Sequence, residues 1–110
     1  MRFLSLQSHV AYGYVGNRAA TFPLQRLGHE VWAVNTVEFS NHTGYGAWRG
    51  RAASAGQVAE IVQGIEALGQ FKYCDALLTG YVGDAALADV VLDTAHRVRI
   101  ANPRAIWCCD

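Results

Sequence analysis

Extended apolar runs and stretches of helical spacing alternate along this chain, and that alternation limits the fold more than any other feature. Arg2 to Gln7 is a short apolar run suited to a strand. Asn17 to Leu27 reads as a helix with Ala19, Ala20, Leu24 and Leu27 for one side, a kink at Pro23 and a stop at Gly28. Glu30 to Phe39 is extended, and Ser40 to Ala55, rich in Gly, Asn, Ser and Arg, reads as a long loop. Gln57 to Leu68 places Val58, Ile61, Val62, Ile65 and Leu68 on one helical face. Asp75 to Val82 is a strand, and Ala85 to Ala101 a helix with Leu87, Val90, Val91, Ala95 and Val98 inward. Asn102-Pro103 ends that helix, and Arg104 to Asp110 is a last strand. The order β-α-β-loop-α-β-α-β, with apolar strands, specifies an α/β fold whose parallel sheet is covered on both faces.

Composition narrows the functional classes. Hydrophobic residues make up 52% and charged residues 16%, enough apolar surface for a core and against disorder. Nine Lys plus Arg balance nine Asp plus Glu, so the basic footprint of a nucleic-acid or membrane-surface binder is missing. No run reaches the roughly 18 apolar residues of a membrane helix, and the N-terminal segment reads as a strand rather than a signal peptide. A soluble, cytoplasmic protein is expected. Cys74, Cys108 and Cys109 are odd in number and form no C-x-x-C pair, which speaks against a disulfide framework and a zinc site. Cys108 and Cys109 read as small hydrophobes on a buried strand.

Ligands of open parallel sheets bind outside the carboxyl ends of the strands. The first strand is followed by Ser8-His9-Val10 and a glycine-punctuated loop through Gly13 and Gly16. The second leads to Ser40-Asn41-His42-Thr43-Gly44-Tyr45-Gly46, the third to Thr79-Gly80-Tyr81-Val82-Gly83-Asp84, and the fourth to Asp110. Hydroxyls, imidazoles, aromatic rings and glycines thus gather on one rim, which suits a planar, polar small molecule. Neither G-x-G-x-x-G nor G-x-x-x-x-G-K-[ST] follows a strand. Plainer roles compete at each position. Ser8 would satisfy local backbone groups, His9 and His42 would be loop histidines, and Tyr81 would be packing. Asp84 reads as a helix N-cap. His29, His96, Arg97 and Arg99 read as solvated, and so do Arg49 and Arg51, with contact to a phosphate the competing role.

The rim segments carry a resemblance. The residues are Ser5-Leu6-Gln7-Ser8-His9-Val10, Gly13 through Leu24, Val34 through Tyr45 with its F-S-N-H-T segment, Leu78-Thr79-Gly80-Tyr81, and Cys109-Asp110. Together they resemble the pyridoxal kinase family of the ribokinase-like superfamily. The resemblance implies a three-layer, Rossmann-like fold with a mostly parallel sheet. It implies transfer of the ATP γ-phosphoryl group to the 5′-hydroxymethyl of pyridoxal, pyridoxine or pyridoxamine, with Mg2+ and with a role for K+ left open. By position, Ser8 resembles the residue that bonds the pyridine ring, and Thr43 with Gly44 a second substrate contact. His42 and Tyr81 resemble groups flanking the ring, and Val15 an apolar wall. Gly44 departs from the glutamine of many bacterial members. Asp110 resembles the acidic residue near the ATP phosphates and metal ions. The family also implies a homodimer.

The family's catalytic Asp, in a G-x-G-D motif, has no counterpart in these residues. Residues 1–110 therefore read as the N-terminal part of a single kinase domain without its ATP-binding part, inactive by itself and with strand edges left open. Two alternatives stand beside this: a non-catalytic module that binds a B6 vitamer, and a related hydroxymethylpyrimidine-type kinase.

Overall fold

The computed structural model describes all 110 residues. Its strands are β1 (Arg2–Val10), β2 (Glu30–Phe39), β3 (Gly50–Ala52), β4 (Ala76–Thr79) and β5 (Ile106–Cys109). Its helices are α1 (Asn17–Arg26), α2 (Ala55–Ala67) and α3 (Ala86–Ala101). The strands form one sheet in the order β3-β2-β1-β4-β5. Strands β2, β1, β4 and β5 are parallel, and β3 is antiparallel to β2. The chain leaves β1 for one side of the sheet and returns through α2 to the other, so the strand order reverses between β1 and β4. A crevice opens at such a reversal.

One face of the sheet makes the core. Leu4 and Leu6 of β1, Val34 of β2 and Leu77 of β4 pack against Val58 and Val62 of α2 and against Leu87, Val91, Ala95 and Val98 of α3. Burying a Val or Leu side chain fully contributes about 1.5–3 kcal/mol, so this layer carries most of the apolar stabilisation. Arg97 of α3 donates to both carboxylate oxygens of Glu66 on α2 and lies 3.7 Å from Asp93. It is thus a cross-helix tie rather than a free surface cation. The Glu66 carboxylate beside it raises the guanidinium's pKa further. Ser54 starts α2 with a capping box: its hydroxyl accepts from the Gln57 amide, and the Gln57 side chain accepts from the Ser54 amide. Such a cap contributes about 1 kcal/mol.

The opposite face is polar where α1 crosses β1 and β2. Ser5, Gln7 and Asn17 are buried there. Leu27, which the sequence placed on one side of this helix, is its C-cap residue and is 74% exposed. Helix α1 runs through Pro23 as one element and ends at Gly28, whose φ of 88° only glycine adopts without strain.

Several expectations are corrected. Residues 8–10 belong to β1 and do not follow it. The long loop contains β3, too short and too exposed to show a period. Ile61 and Leu68 of the second helical face are 52% and 75% exposed. That face is narrower than the spacing suggests: of α2 only Val58 and Val62 are buried. Cys108 and Cys109 are exposed, as is all of β5. It is the edge strand, and the helices pack on β1, β2 and β4. The sheet is therefore covered on both faces only at its centre.

Candidate functional site

The pairing of β1 with β2 slips by one residue: Gln7 pairs with Asn35, whereas His9 pairs with Glu38. Side chains alternate faces along a strand, so an extra residue on β2 inverts its pattern beyond the slip. Before it, Val34 shares the core face with Leu4 and Leu6. After it, Val37 and Phe39 join Ser8 and Val10 around one cavity. Glu38 turns the other way, where its carboxylate lies 2.9 Å from His9 Nδ1.

The cavity has a volume of about 190 Å³, and Val15, His42, Thr43 and Tyr81 complete its lining. Five segments supply the lining: β1, β2, the turn before α1, the turn after β2 and the loop after β4. Val15 comes from the turn between β1 and α1, where Gly16, at φ 54° and ψ −134°, folds the chain back onto Ser8. His42 caps a single 3-10 turn, Thr43–Tyr45, and its Nδ1 accepts from the Gly44 amide at 2.9 Å. The neutral ring therefore carries its proton on Nε2. Tyr81 follows β4, and its carbonyl oxygen accepts from the buried Thr36 hydroxyl at 2.6 Å, which ties the loop after β4 to β2. Gly83 is needed beside it, since a β-carbon there would fall 2.7 Å from a Val37 methyl.

Val10, Val15, Val37 and Phe39 give apolar walls, and Ser8, Thr43, His42 and Tyr81 give polar groups at the edges. That is the chemistry of a slot for a flat ring with hydrogen-bonding substituents. A wider cleft of about 550 Å³ adjoins it, sharing Val15 and His42 and adding Tyr12 and Tyr45. The His42 and Tyr45 rings lie 4.7 Å apart, and those of Tyr12 and Tyr45 6.3 Å apart.

The structure brings together Ser8, Val15, His42, Thr43 and Tyr81 of the residues singled out from the sequence. Gly44 does not line the cavity; its amide holds the His42 ring, and a β-carbon there would crowd that ring at 2.5 Å. Asp110 is exposed at the end of β5, on the same rim but outside the cavity, with its amide donating to Thr79. His9 faces the α1 side. Arg51 pairs across from Glu38 on the exposed β3. Asp84 Oδ1 accepts from the Ala86 amide at 2.9 Å, but it is not the N-cap expected from the sequence: that position is Ala85, one residue later, and bears no side-chain cap. No group of three or more His, Cys, Asp and Glu side chains is arranged to hold a metal ion. Sequence reasoning missed Val10, Val37 and Phe39, because the slip that aims the last two breaks the strand period.

Fold and rim together define a ribokinase-like α/β protein with a candidate small-molecule site at the ends of its parallel strands. No protein-family model matches the chain. Curated relatives do, among them pyridoxal kinase PdxY of Rubrobacter xylanophilus, 60% identical over all 110 residues and 38% of the relative, and that of Deinococcus radiodurans, 57% identical over 97% of this chain and 36% of the relative. Among solved structures, the Leishmania donovani pyridoxal kinase in complex with ADP and pyridoxamine superposes with a TM-score of 0.92 at 38% identity. That match covers 99% of this chain and 40% of the other. Over its whole length, then, this chain is homologous to the pyridoxal kinases. It spans about 38% of the length of the curated relatives it matches.

Proposed function

We propose that this chain forms the vitamin-binding side of a pyridoxal kinase, which transfers the γ-phosphoryl group of ATP to the 5′-hydroxymethyl of pyridoxal, pyridoxine or pyridoxamine. The observation that carries the reading is the meeting of Ser8, Val15, His42, Thr43 and Tyr81 around one cavity at the strand ends. The Ser8 hydroxyl bonds an edge of the pyridine ring, Val15 and Phe39 pack against its faces, and Thr43 with His42 contacts its substituents. Gly44 acts through His42. Asp110 lies where the rim continues past β4, and its carboxylate faces the nucleotide phosphates and their Mg2+. Phosphoryl transfer depends on positioned donors and metal ions, so the reaction needs groups beyond these. A cytoplasmic homodimer is the form proposed for the working enzyme.

A non-catalytic B6-binding module is the second reading, because the cavity lining would serve vitamer binding without phosphoryl transfer. Two measurements test the proposal. The 110-residue chain is titrated with pyridoxal, and a hybrid is made in which it replaces the matched residues of the Rubrobacter xylanophilus relative. Saturable pyridoxal binding by the chain, with ATP-dependent formation of pyridoxal 5′-phosphate by the hybrid alone, is expected. A folded hybrid that binds pyridoxal but does not turn over favours the binding module. A chain that does not bind pyridoxal overturns both readings.

A further inference from the structure

We propose that Asn17 and Asn35 are positioning residues of the cavity: their side chains hold the one-residue slip between β1 and β2 that turns Val37 and Phe39 toward the ligand. The ligand part of this inference rests on the pyridoxal reading; the structural part does not.

Three observations converge on the slip. Asn17 is 3% exposed, although it is the first residue of α1. Its Nδ2 donates to the Val34 carbonyl at 3.1 Å and, more weakly, to that of Gln7 at 3.4 Å, so one side chain spans both strands just before their pairing breaks. Its Oδ1 accepts from the Ser5 hydroxyl, which in turn accepts from Gln7 Nε2. The chain of bonds then continues past the slip. Asn17 Nδ2 also donates to Asn35 Oδ1 at 2.8 Å, and Asn35 Nδ2 donates to Glu38 Oε1 at 2.6 Å. Asn35 thus joins the last regularly paired residue of β2 to the first one paired beyond the slip.

The alternative arrangement shows why this matters. Regular pairing would place Glu38 on the cavity face and turn Val37 and Phe39 toward α1, since a one-residue shift exchanges faces. A carboxylate among Val10, Val15 and a bound ring would be desolvated without a partner. Holding Glu38 on the α1 side, between Asn35 and His9, excludes that state.

The test uses the 110-residue chain with Asn35→Asp and the double variant Asn35→Asp with Glu38→Gln. The single variant sets two carboxylates against each other, whereas the double restores a donor and an acceptor with the direction reversed. Two readouts are taken. Nuclear Overhauser contacts between the Phe39 ring and the Val10 methyls report the aim of Phe39 with no ligand present, and titration reports pyridoxal affinity. In Asn35→Asp, these contacts are expected to disappear and the pyridoxal Kd to rise about fivefold or more, the factor of one lost hydrogen bond. The double variant is expected to recover both. Asn35→Ala, which adds no repulsion, serves if Asn35→Asp does not fold, and the same losses are expected of it. Unchanged Phe39–Val10 contacts in a folded single variant overturn the proposal whatever the titration shows. Lost contacts with unchanged affinity in a chain that binds pyridoxal overturn its ligand part. Failure of the unaltered chain to bind counts against the pyridoxal reading, while the Phe39 contacts still decide the structural part.

Discussion

Gly16 is pressed against Ser8. A β-carbon on Gly16 would fall 2.8 Å from the Ser8 carbonyl carbon and closer still to its carbonyl oxygen and hydroxyl. The turn that brings Val15 to the cavity is therefore seated directly on the strand residue assigned to the substrate ring, and the two cannot move apart independently.

Gly16→Ala tests that seating. Gly28 also has positive φ, but a β-carbon there meets nothing within 4 Å. Gly28→Ala is expected to cost only the left-handed backbone penalty, about 1–2 kcal/mol. Gly16→Ala is expected to cost more and also to weaken pyridoxal binding more than tenfold, through displacement of Ser8. Urea unfolding and ligand titration of both variants check this. Equal losses of stability with unchanged binding would show that the contact does not shape the site.

Ser8→Ala and Phe39→Ala separate the polar and apolar parts of recognition. Loss of one neutral hydrogen bond at Ser8 is expected to weaken pyridoxal binding roughly 2- to 13-fold. Phe39→Ala removes a wall that no other side chain replaces, and a larger loss is expected. Binding of both variants at the unaltered level would remove this cavity as the substrate site.

Strand and helix alternation was legible in the sequence because β1 and β4 carry apolar runs and α3 has a helical period. Part of the cavity lining was legible as well: His42, Thr43 and Tyr81 follow β2 and β4, and Ser8 was placed on the same rim although it lies within β1. Phe39 was not, because its facing depends on a register slip between β1 and β2 that the residues of one strand alone do not show. Strand β3 was hidden for another reason: three exposed residues have no apolar pattern to show. The exposure of Cys108 and Cys109 was misjudged because an apolar run shows that a strand forms, not that helices lie over it.

The three thiols should react in two classes. Cys74 is fully buried, its thiol donates to the Ala76 carbonyl, and burial pushes its pKa up. Cys108 and Cys109 are exposed. An aromatic disulfide reagent is expected to titrate two thiols quickly and the third only upon unfolding. A raised thiol pKa favours the fold below the ordinary thiol range. That contribution fades as pH rises toward the folded-state value, so the Tm should fall in that alkaline window, by less in Cys74→Ala. Three equally fast thiols would contradict the burial of Cys74.

The open edge should make the chain associate. Ile106 and Trp107 are 57% and 38% exposed on β5, whose outer backbone groups have no strand beside them. Exposed apolar edges are templates for pairing. Sedimentation velocity is expected to show concentration-dependent association of the chain, reduced by Ile106→Lys. A monomer at all concentrations would indicate that the edge is already blunted.

Strand β1 has a partner strand on each side, and Leu4 through Ser8 are all buried. Such a segment exchanges its amide hydrogens only when the whole domain opens. Ser8 thus belongs to the part of the molecule that opens last. His42, Thr43 and Tyr81, on exposed turns, belong to the part that opens first. A ligand seated between them rests on an unyielding floor under a yielding doorway. The speed with which it comes and goes is then set by the turns after β2 and β4, and its orientation by β1.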